Sequence, residues 1–387
     1  MTPTTPDTMI ATIVDHLRSI DDAHDGRIDL AATADREVRR MLPLDSRAEQ
    51  RRVARAAVAR LTGLGQLEEL VDDPTVDEVL VNAAGDIWVD RAGRLHRAGH
   101  LVGQPLEHLV ERILAPIGRR LDSSSPVVDA RLADGSRVCA VVPPVGVDGP
   151  SLSIRRFARV VRPLTEFIDG VGVAVLREVL GARCNVVVSG ATSSGKTSLL
   201  ASLLRHLPAE ERLVVLEDTA ELPLDNDHAV RLEARPASPD GPPPIELTDL
   251  VRTALRLRPD RLVIGEVRGA EVVGLVQAMN TGHDGSWSTC HANGAVDALI
   301  RLETLVLQSA PAWPLAAVRR QLLRSVDVVI HVARGGPDGR RRIESIVEVV
   351  DDGVAADVGE LPTVRPLVDV DADGHVSRLT ELRRARC

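Results

Sequence analysis

The spacing of apolar residues changes twice along the chain. Up to about residue 65, apolar positions recur every three or four residues, as at Val53, Ala57 and Leu61, without strand-like alternation. This pattern predicts an N-terminal helical bundle over 1–65. The next part, 66–160, combines short alternating runs with one amphipathic helix and with a strand pair joined at a glycine turn. That mixture predicts a small α+β domain.

From residue 174 onward, strand and helix patterns alternate. Before them, 161–173 contains proline and glycine without a clear period and is predicted to be a linker. Later, the proline-rich run 234–244 predicts a mobile loop, and about the last fifty residues predict short strands. We therefore expect an α/β domain over 174–387 with a β-rich C-terminal extension. Its core would be a mainly parallel sheet covered on both faces, with strands at Asn185–Ser189, Leu213–Leu216, Arg261–Ile264, Ser286–Cys290 and Val326–Val332.

Composition and residue spacing mainly exclude other classes of protein. The chain has 387 residues, 44% of them hydrophobic, which is enough for two or three domains. Apolar stretches end before the roughly 18 residues that span a bilayer, and the N-terminus lacks the pattern of a signal peptide, so we expect a cytoplasmic protein. The four cysteines are scattered without paired spacing, which indicates neither a disulfide framework nor a zinc site.

Charge and aromatic content speak against direct nucleic-acid binding. The net charge is −9, and the chain has no Tyr, two Phe and three Trp, so it offers little for stacking the bases of a single strand. A local basic face is the alternative. Lys196 is the only lysine among 47 basic residues. Its position therefore indicates a site that needs an ammonium group rather than a guanidinium group.

Lys196 lies in a phosphate-binding motif, the run GATSSGKTS. An apolar strand pattern precedes the run and a leucine-rich helix pattern follows it, as a P-loop requires. Its glycines would let backbone N–H groups wrap phosphates, Lys196 would reach the β- and γ-oxygens, and Thr197 would offer its hydroxyl to Mg²⁺. We therefore predict ATP and Mg²⁺ as cofactors. The predicted nucleotide-binding residues are Gly190, Ala191, Thr192, Ser193, Ser194, Gly195, Lys196, Thr197 and Ser198.

Acidic residues and a histidine follow three other predicted strands. Glu266 ends the strand of RPDRLVIGEVRG and is the candidate general base for the attacking water. Glu217 and Asp218 end the strand before LEDTAEL; one of them would support water or the metal, with Asp218 as the metal candidate. His291 could report the γ-phosphate. A surface glutamate, a solvated acidic turn and a structural histidine are the alternatives.

The order of GATSSGKTS, LEDTAEL, RPDRLVIGEVRG and TGHDGSWSTCHAN resembles that of the Walker A, Asp box, Walker B and His box in secretion ATPases of the type II/IV superfamily. The amino-acid sequence of the last run, and that of DARLADGSRVCAVVPPVGVDGPSLSIRRF, most resemble the CpaF/TadA branch, which drives Tad/Flp pilus assembly. The similarity covers about 66–350. The chain departs from the family at Ser193, where glycine is usual, and it lacks the tetracysteine zinc module of some type II members.

This resemblance implies a RecA-like P-loop NTPase motor domain preceded by a PAS-like α+β domain. It implies a homohexameric motor that drives pilin or protein export through a polytopic platform in the inner membrane, and that reaches the cytoplasmic face of that membrane through its partners. The alternatives are a RecA-like nucleic-acid motor or conjugative DNA-transfer ATPase, and a regulatory ATP-binding subunit without turnover. The resemblance also implies N-domain arginines that approach the phosphates. The candidates are Arg131, Arg137, Arg155 and Arg156, with Arg137 and Arg155 assigned as catalytic.

Overall fold

The chain divides into two compact units, Met1–Phe157 and Ala158–Cys387. The structure is a computed structural model. It describes residues 6–23, 30–43, 45–91, 93–103, 105–132, 135–156, 161–237, 242–335, 340–351, 361–371 and 374–383. Within these residues, no helix is long and apolar enough to cross a membrane.

The first unit begins with three helices, α1 (Pro6–Ala23), α2 (Leu30–Met41) and α3 (Arg47–Thr62). They share a buried cluster to which Ile13 and Leu17 contribute. Helix α3 begins where Ser46 accepts a hydrogen bond from the backbone N–H of Glu49, an N-terminal cap that satisfies one free donor. The short helix α4 (Glu68–Asp72) follows a 3₁₀ turn.

A six-stranded antiparallel sheet forms the rest of this unit, in the order β3-β2-β1-β6-β5-β4. Helix α5 (Leu106–Leu114) buries its apolar residues in the same core as the strands, because they recur on one helix face. The predicted strand pair before and after the glycine turn is confirmed as β4 and β5. The strands are β1 (Glu78–Val81), β2 (Asp86–Arg91), β3 (Arg94–His100), β4 (Val127–Arg131), β5 (Arg137–Val141) and β6 (Ser151–Arg155).

An eight-stranded sheet forms the core of the second unit, in the order β14-β13-β12-β7-β11-β10-β8-β9. Strands β12 to β9 of that order are parallel, and β13 and β14 run antiparallel at one edge. The strands are β7 (Val186–Gly190), β8 (Leu213–Glu217), β9 (Ala229–Glu233), β10 (Arg261–Ile264), β11 (Trp287–His291), β12 (Val328–Gly335), β13 (Arg340–Val349) and β14 (Val364–Pro366). A separate hairpin joins β15 (Val368–Val370) to β16 (Val376–Arg378).

Helices cover both faces of this sheet. One buried cluster contains Val187 and helices α8 to α11, and the other contains Val186, Val188 and helices α6 and α7. Alternate residues of β7 thus face opposite cores, as in a parallel sheet buried on both sides. The helices are α6 (Gly170–Gly181), α7 (Lys196–Leu204), α8 (Leu247–Ala254), α9 (Glu271–Asn280), α10 (Ala295–Ser309) and α11 (Leu315–Ser325).

The α/β class and the five predicted strands are confirmed, with ends displaced by at most three residues. The sequence interpretation missed β9, which pairs with β8 at the sheet edge. In 161–173, interpreted as a linker, Leu164 and Phe167 are buried in the core and a helix begins at Gly170. Asp169 caps that helix by accepting from two backbone N–H groups. In the proline-rich loop, 238–241 lie outside the described residues.

Candidate nucleotide-binding and hydrolysis site

The run GATSSGKTS connects the end of β7 to the start of α7. A Cβ on Gly190 would lie 2.2 Å from the carbonyl oxygen of Val332, so the loop can close against β12 only with glycine there. Gly195 has a φ of 105° and Ser193 a φ of 60°. Both angles lie in the left-handed region that glycine enters most easily. Ser193 thus adopts a conformation that suits the glycine implied at this position by the family resemblance.

Lys196 points back into this loop. The side chain is buried, and its Nζ donates to the carbonyl oxygens of Gly190 and Ala191, both at 3.0 Å. The third neighbour is Nδ1 of His291, at 3.1 Å from Nζ. Thr197, in the first turn of α7, is half-buried. An ammonium group with three donors is therefore held at the N-terminus of a helix, where anions are stabilised.

His291 links Lys196 to Glu266. Its Nε2 lies 2.8 Å from Oε1 of Glu266, at the end of the neighbouring strand. Burial lowers the pKa of His291, partly opposed by the Glu266 carboxylate, so the ring is neutral at pH 7. Nδ1 of the ring faces the ammonium of Lys196, and Nε2 faces the carboxylate of Glu266.

The two carboxylate oxygens of Glu266 have different surroundings. Its Oε2 accepts a hydrogen bond of 2.6 Å from Nη2 of Arg268. Its Oε1 is buried, and although His291 is at ion-pair distance, the described residues provide no aligned hydrogen bond to it. The hydroxyl of Ser194 is likewise buried without a hydrogen-bond partner among the described residues. Buried polar atoms normally find partners, so both fit a site completed by a ligand and its water.

Glu217 and Asp218 are placed differently from each other. The Glu217 carboxylate is buried, and its Oε1 accepts from the backbone N–H groups of Glu221 and Leu222, both at 2.9 Å. Burial raises the pKa of Glu217 against these hydrogen bonds. A Cβ on Gly265 would lie 3.0 Å from Cγ of Glu217, so Glu217 packs beside the residue that precedes Glu266. Asp218 is exposed.

The metal-binding prediction is compatible with these side chains only if the nucleotide supplies ligands. Among the described residues, no group of three His, Cys, Asp or Glu side chains could hold a metal ion. Mg²⁺ commonly keeps several waters and binds through one or two protein oxygens plus substrate phosphates. The hydroxyl of Thr197 and the carboxylate of Asp218 stay the predicted protein ligands of the metal.

The structure also places residues at the loop that sequence reasoning missed. Arg341 of β13 packs against Gly195, and Ser189 lies 2.9 Å from Nδ1 of the buried His331. Arg268 could have been found from the sequence, because it belongs to the GEVRG run. The residues of β12 and β13 belong to no motif that would have identified them. A cavity of about 370 Å³ beside the loop is lined by Ala191, Thr192, Ser194, Ala292, Asn293, His331, Ala333, Arg334 and Glu344.

In the first unit, three of the four predicted arginines lie in one row. Arg131, Arg137 and Arg155 are directly opposite one another on β4, β5 and β6. Nε of Arg137 donates to Asp129 at 2.8 Å, and Arg155 is exposed. Arg156 donates instead to the carbonyl oxygen of Asp73. Alternation along a strand lets only one residue of the pair Arg155 and Arg156 share the face of this arginine row. That residue is Arg155.

Comparison with known proteins decides the family. The family model described as type II/IV secretion system protein matches residues 60–353. The chain belongs to this family. Among its relatives, a putative conjugal transfer protein of Mycobacterium tuberculosis is 39% identical over 309 residues, covering 76% of this chain and 86% of the relative. The type IV secretion system protein VirB11 of Brucella suis is 30% identical, covering 74% and 90%.

Solved structures show the same fold. The ATPase DotB of Legionella pneumophila aligns with a TM-score of 0.54 and 21% identity, over 73% of this chain and 80% of DotB. The pilus retraction motor PilT with bound ADP aligns with a TM-score of 0.52 and 16% identity, over 82% and 83%. The family match confirms the type II/IV secretion superfamily and the ATPase activity predicted with it, and the aligned structures confirm the RecA-like motor fold. The CpaF/TadA branch stays a prediction.

Proposed function

We propose that this secretion ATPase is the motor of a Tad/Flp-type pilus assembly or related export system. The observation that carries the motor function is the contact chain from Lys196 through His291 to Glu266, and the Tad/Flp assignment rests on the resemblance of TGHDGSWSTCHAN to that branch. It connects the phosphate-binding lysine with the carboxylate that would orient water. Such a connection lets occupancy of the loop change the position of the hydrolytic group.

In this proposal the chain's own residues bind, position and exchange protons. Bound ATP and Mg²⁺ supply the transferred phosphoryl group and the charge that neutralises it. Lys196 and the loop N–H groups hold the phosphates, Thr197 and Asp218 hold the metal, and Oε1 of Glu266 accepts a hydrogen bond from water. His291 reports the occupied loop to Glu266. Glu217 acts through the turn that positions this edge of the sheet.

Arg137 and Arg155 are proposed to add positive charge to the transition state, as arginine fingers do in other NTPases. Arg137 is paired with Asp129, so this role requires exchange of that partner. We further propose a homohexamer at the cytoplasmic face of the inner membrane, attached through a polytopic platform protein. Light scattering with and without ATP tests the assembly, and a monomer under both conditions would contradict it.

A conjugative DNA-transfer ATPase is the second candidate, because relatives at 39% and 34% identity carry conjugal transfer names. The net charge of −9 favours a motor without direct DNA contact. The deciding experiment measures phosphate release with and without single- and double-stranded DNA at two salt concentrations. Stimulation that disappears at higher salt would favour the DNA motor. Unchanged turnover favours pilin or protein export.

A further inference from the structure

The edge strands of the motor sheet bring an arginine to the phosphate-binding loop from its own domain. Arg341 lies on β13, which is separated from β7 by β12 alone. Its aliphatic carbons pass over Gly195, where a Cβ would lie 2.7 Å from Cδ of Arg341. Its Nη1 donates to Oγ of Ser198 at 3.2 Å. The guanidinium therefore ends at the first turn of α7.

The position of Ser198 says which part of a nucleotide this guanidinium would meet. In a P-loop, the lysine reaches the β- and γ-phosphates, while the loop and the helix N-terminus cradle the α- and β-phosphates. Ser198 lies one residue beyond Thr197, the proposed metal ligand, and so one step further from the γ-phosphate end. A cation at Ser198 is on the α-phosphate side.

A second arginine strengthens the positive charge here. Arg334 on β12 is directly opposite Arg341, and it also lines the cavity beside Ala191 and Ser194. Like charges on directly opposed residues destabilise a sheet. Both side chains are half-buried rather than fully solvated. Glu344 lines the same cavity, so an anion bound between this strand pair and the loop would meet two guanidinium groups and one carboxylate.

We propose that Arg341 is a phosphate-binding residue of the nucleotide site, which contacts the α-phosphate side of bound ATP or ADP from within the same protomer. The inference rests on the proposed nucleotide site, and it assigns a residue outside the known motifs. Because the α-phosphate is present in both nucleotides, Arg341 contributes equally to the binding of each. Charge-assisted hydrogen bonds of this kind are worth roughly 10- to 100-fold in affinity.

The test uses Arg341→Met, since methionine keeps the aliphatic packing over Gly195 and removes the charge. Calorimetric Kd values for ADP and for a non-hydrolysable ATP analogue should both rise roughly 10- to 100-fold. Arg341→Lys, which keeps a charge, should fall between Met and wild type. The matched control is Arg340→Gln, because Arg340 is exposed and alternation directs it to the other face. Its Kd values should equal those of wild type.

The possible outcomes distinguish a wrong role for Arg341 from a wrong nucleotide site. Wild-type binding that Lys196→Ala abolishes establishes the nucleotide site independently of Arg341. Unchanged Kd values for Arg341→Met would then overturn the role of Arg341 alone. A loss confined to the ATP analogue would overturn its assignment to the α-phosphate. If Arg341→Met fails to fold, as judged by its thermal melt without nucleotide, Arg341→Gln replaces it: Kd values raised roughly 10- to 100-fold for both nucleotides support the charge requirement, and unchanged values overturn it.

Discussion

Substitution of Glu266 by Gln tests the hydrolytic half of the site. Gln has the same shape and keeps a hydrogen-bonding side chain, but it cannot accept a proton from water. Loss of a positioned general base should lower turnover by roughly 10²–10⁴-fold, which is about 2.7–5.4 kcal/mol in activation free energy. Nucleotide affinity should stay close to wild type, because the contacts of Lys196 are to Gly190, Ala191 and His291 rather than to Glu266.

The structure also bounds the competing explanation, which is loss of stability. The substitution weakens the pair with Arg268, whose side chain is more than half exposed. Exposed pairs contribute up to about 1 kcal/mol to the free energy of unfolding, too little to account for the expected loss of turnover.

Phosphate release and calorimetric Kd values, measured in parallel, separate the two explanations. Glu233→Gln is the matched control, since Glu233 is an exposed carboxylate on β9 of the same sheet. If Glu266→Gln lost nucleotide binding and turnover together, Glu266 would be a metal or structural ligand and the argument would be refuted.

Three other predictions concern the same edge of the sheet. Lys196→Arg should lose nucleotide binding as Lys196→Ala does, because a planar guanidinium is not a point charge; ADP affinity near wild type would contradict this. Glu217→Ala should lower the free energy of unfolding by about 1–3 kcal/mol in urea, since it leaves two N–H groups without their acceptor, whereas Glu217→Gln should lose less. The pKa of His291 is lowered mainly by burial, so the unfolded state binds its proton more readily. Stability should therefore fall as pH drops below about 6.5, and His291→Gln should flatten that slope; an unchanged slope counts against a neutral, half-buried ring.

The parts of the site that the sequence could predict are those in which function needs special residues close together. The P-loop requires glycines, a lysine and a hydroxyl within one turn, and the strand before Glu266 contains the apolar run 262–264. The α-helix after Asp169 is not predicted from the sequence, because two glycines in its first turn lower its helix propensity. Strand β9 was missed because its residues are half exposed at a sheet edge. Arg341 could not be found at all, since its position depends on pairing between β12 and β13.

The contacts of the single lysine explain why this arginine-rich chain retains it. Three acceptors, the carbonyl oxygens of Gly190 and Ala191 and Nδ1 of His291, lie 3.0–3.1 Å from one nitrogen atom. A tetrahedral ammonium can direct three N–H bonds from a single atom, whereas a guanidinium spreads its five donors over a plane. Two of these acceptors are backbone atoms fixed by the loop. The third is a neutral imidazole that also faces Glu266. In the proposed site, a nucleotide that attracts the ammonium toward its phosphates would take it away from His291 and so change the contacts of Glu266.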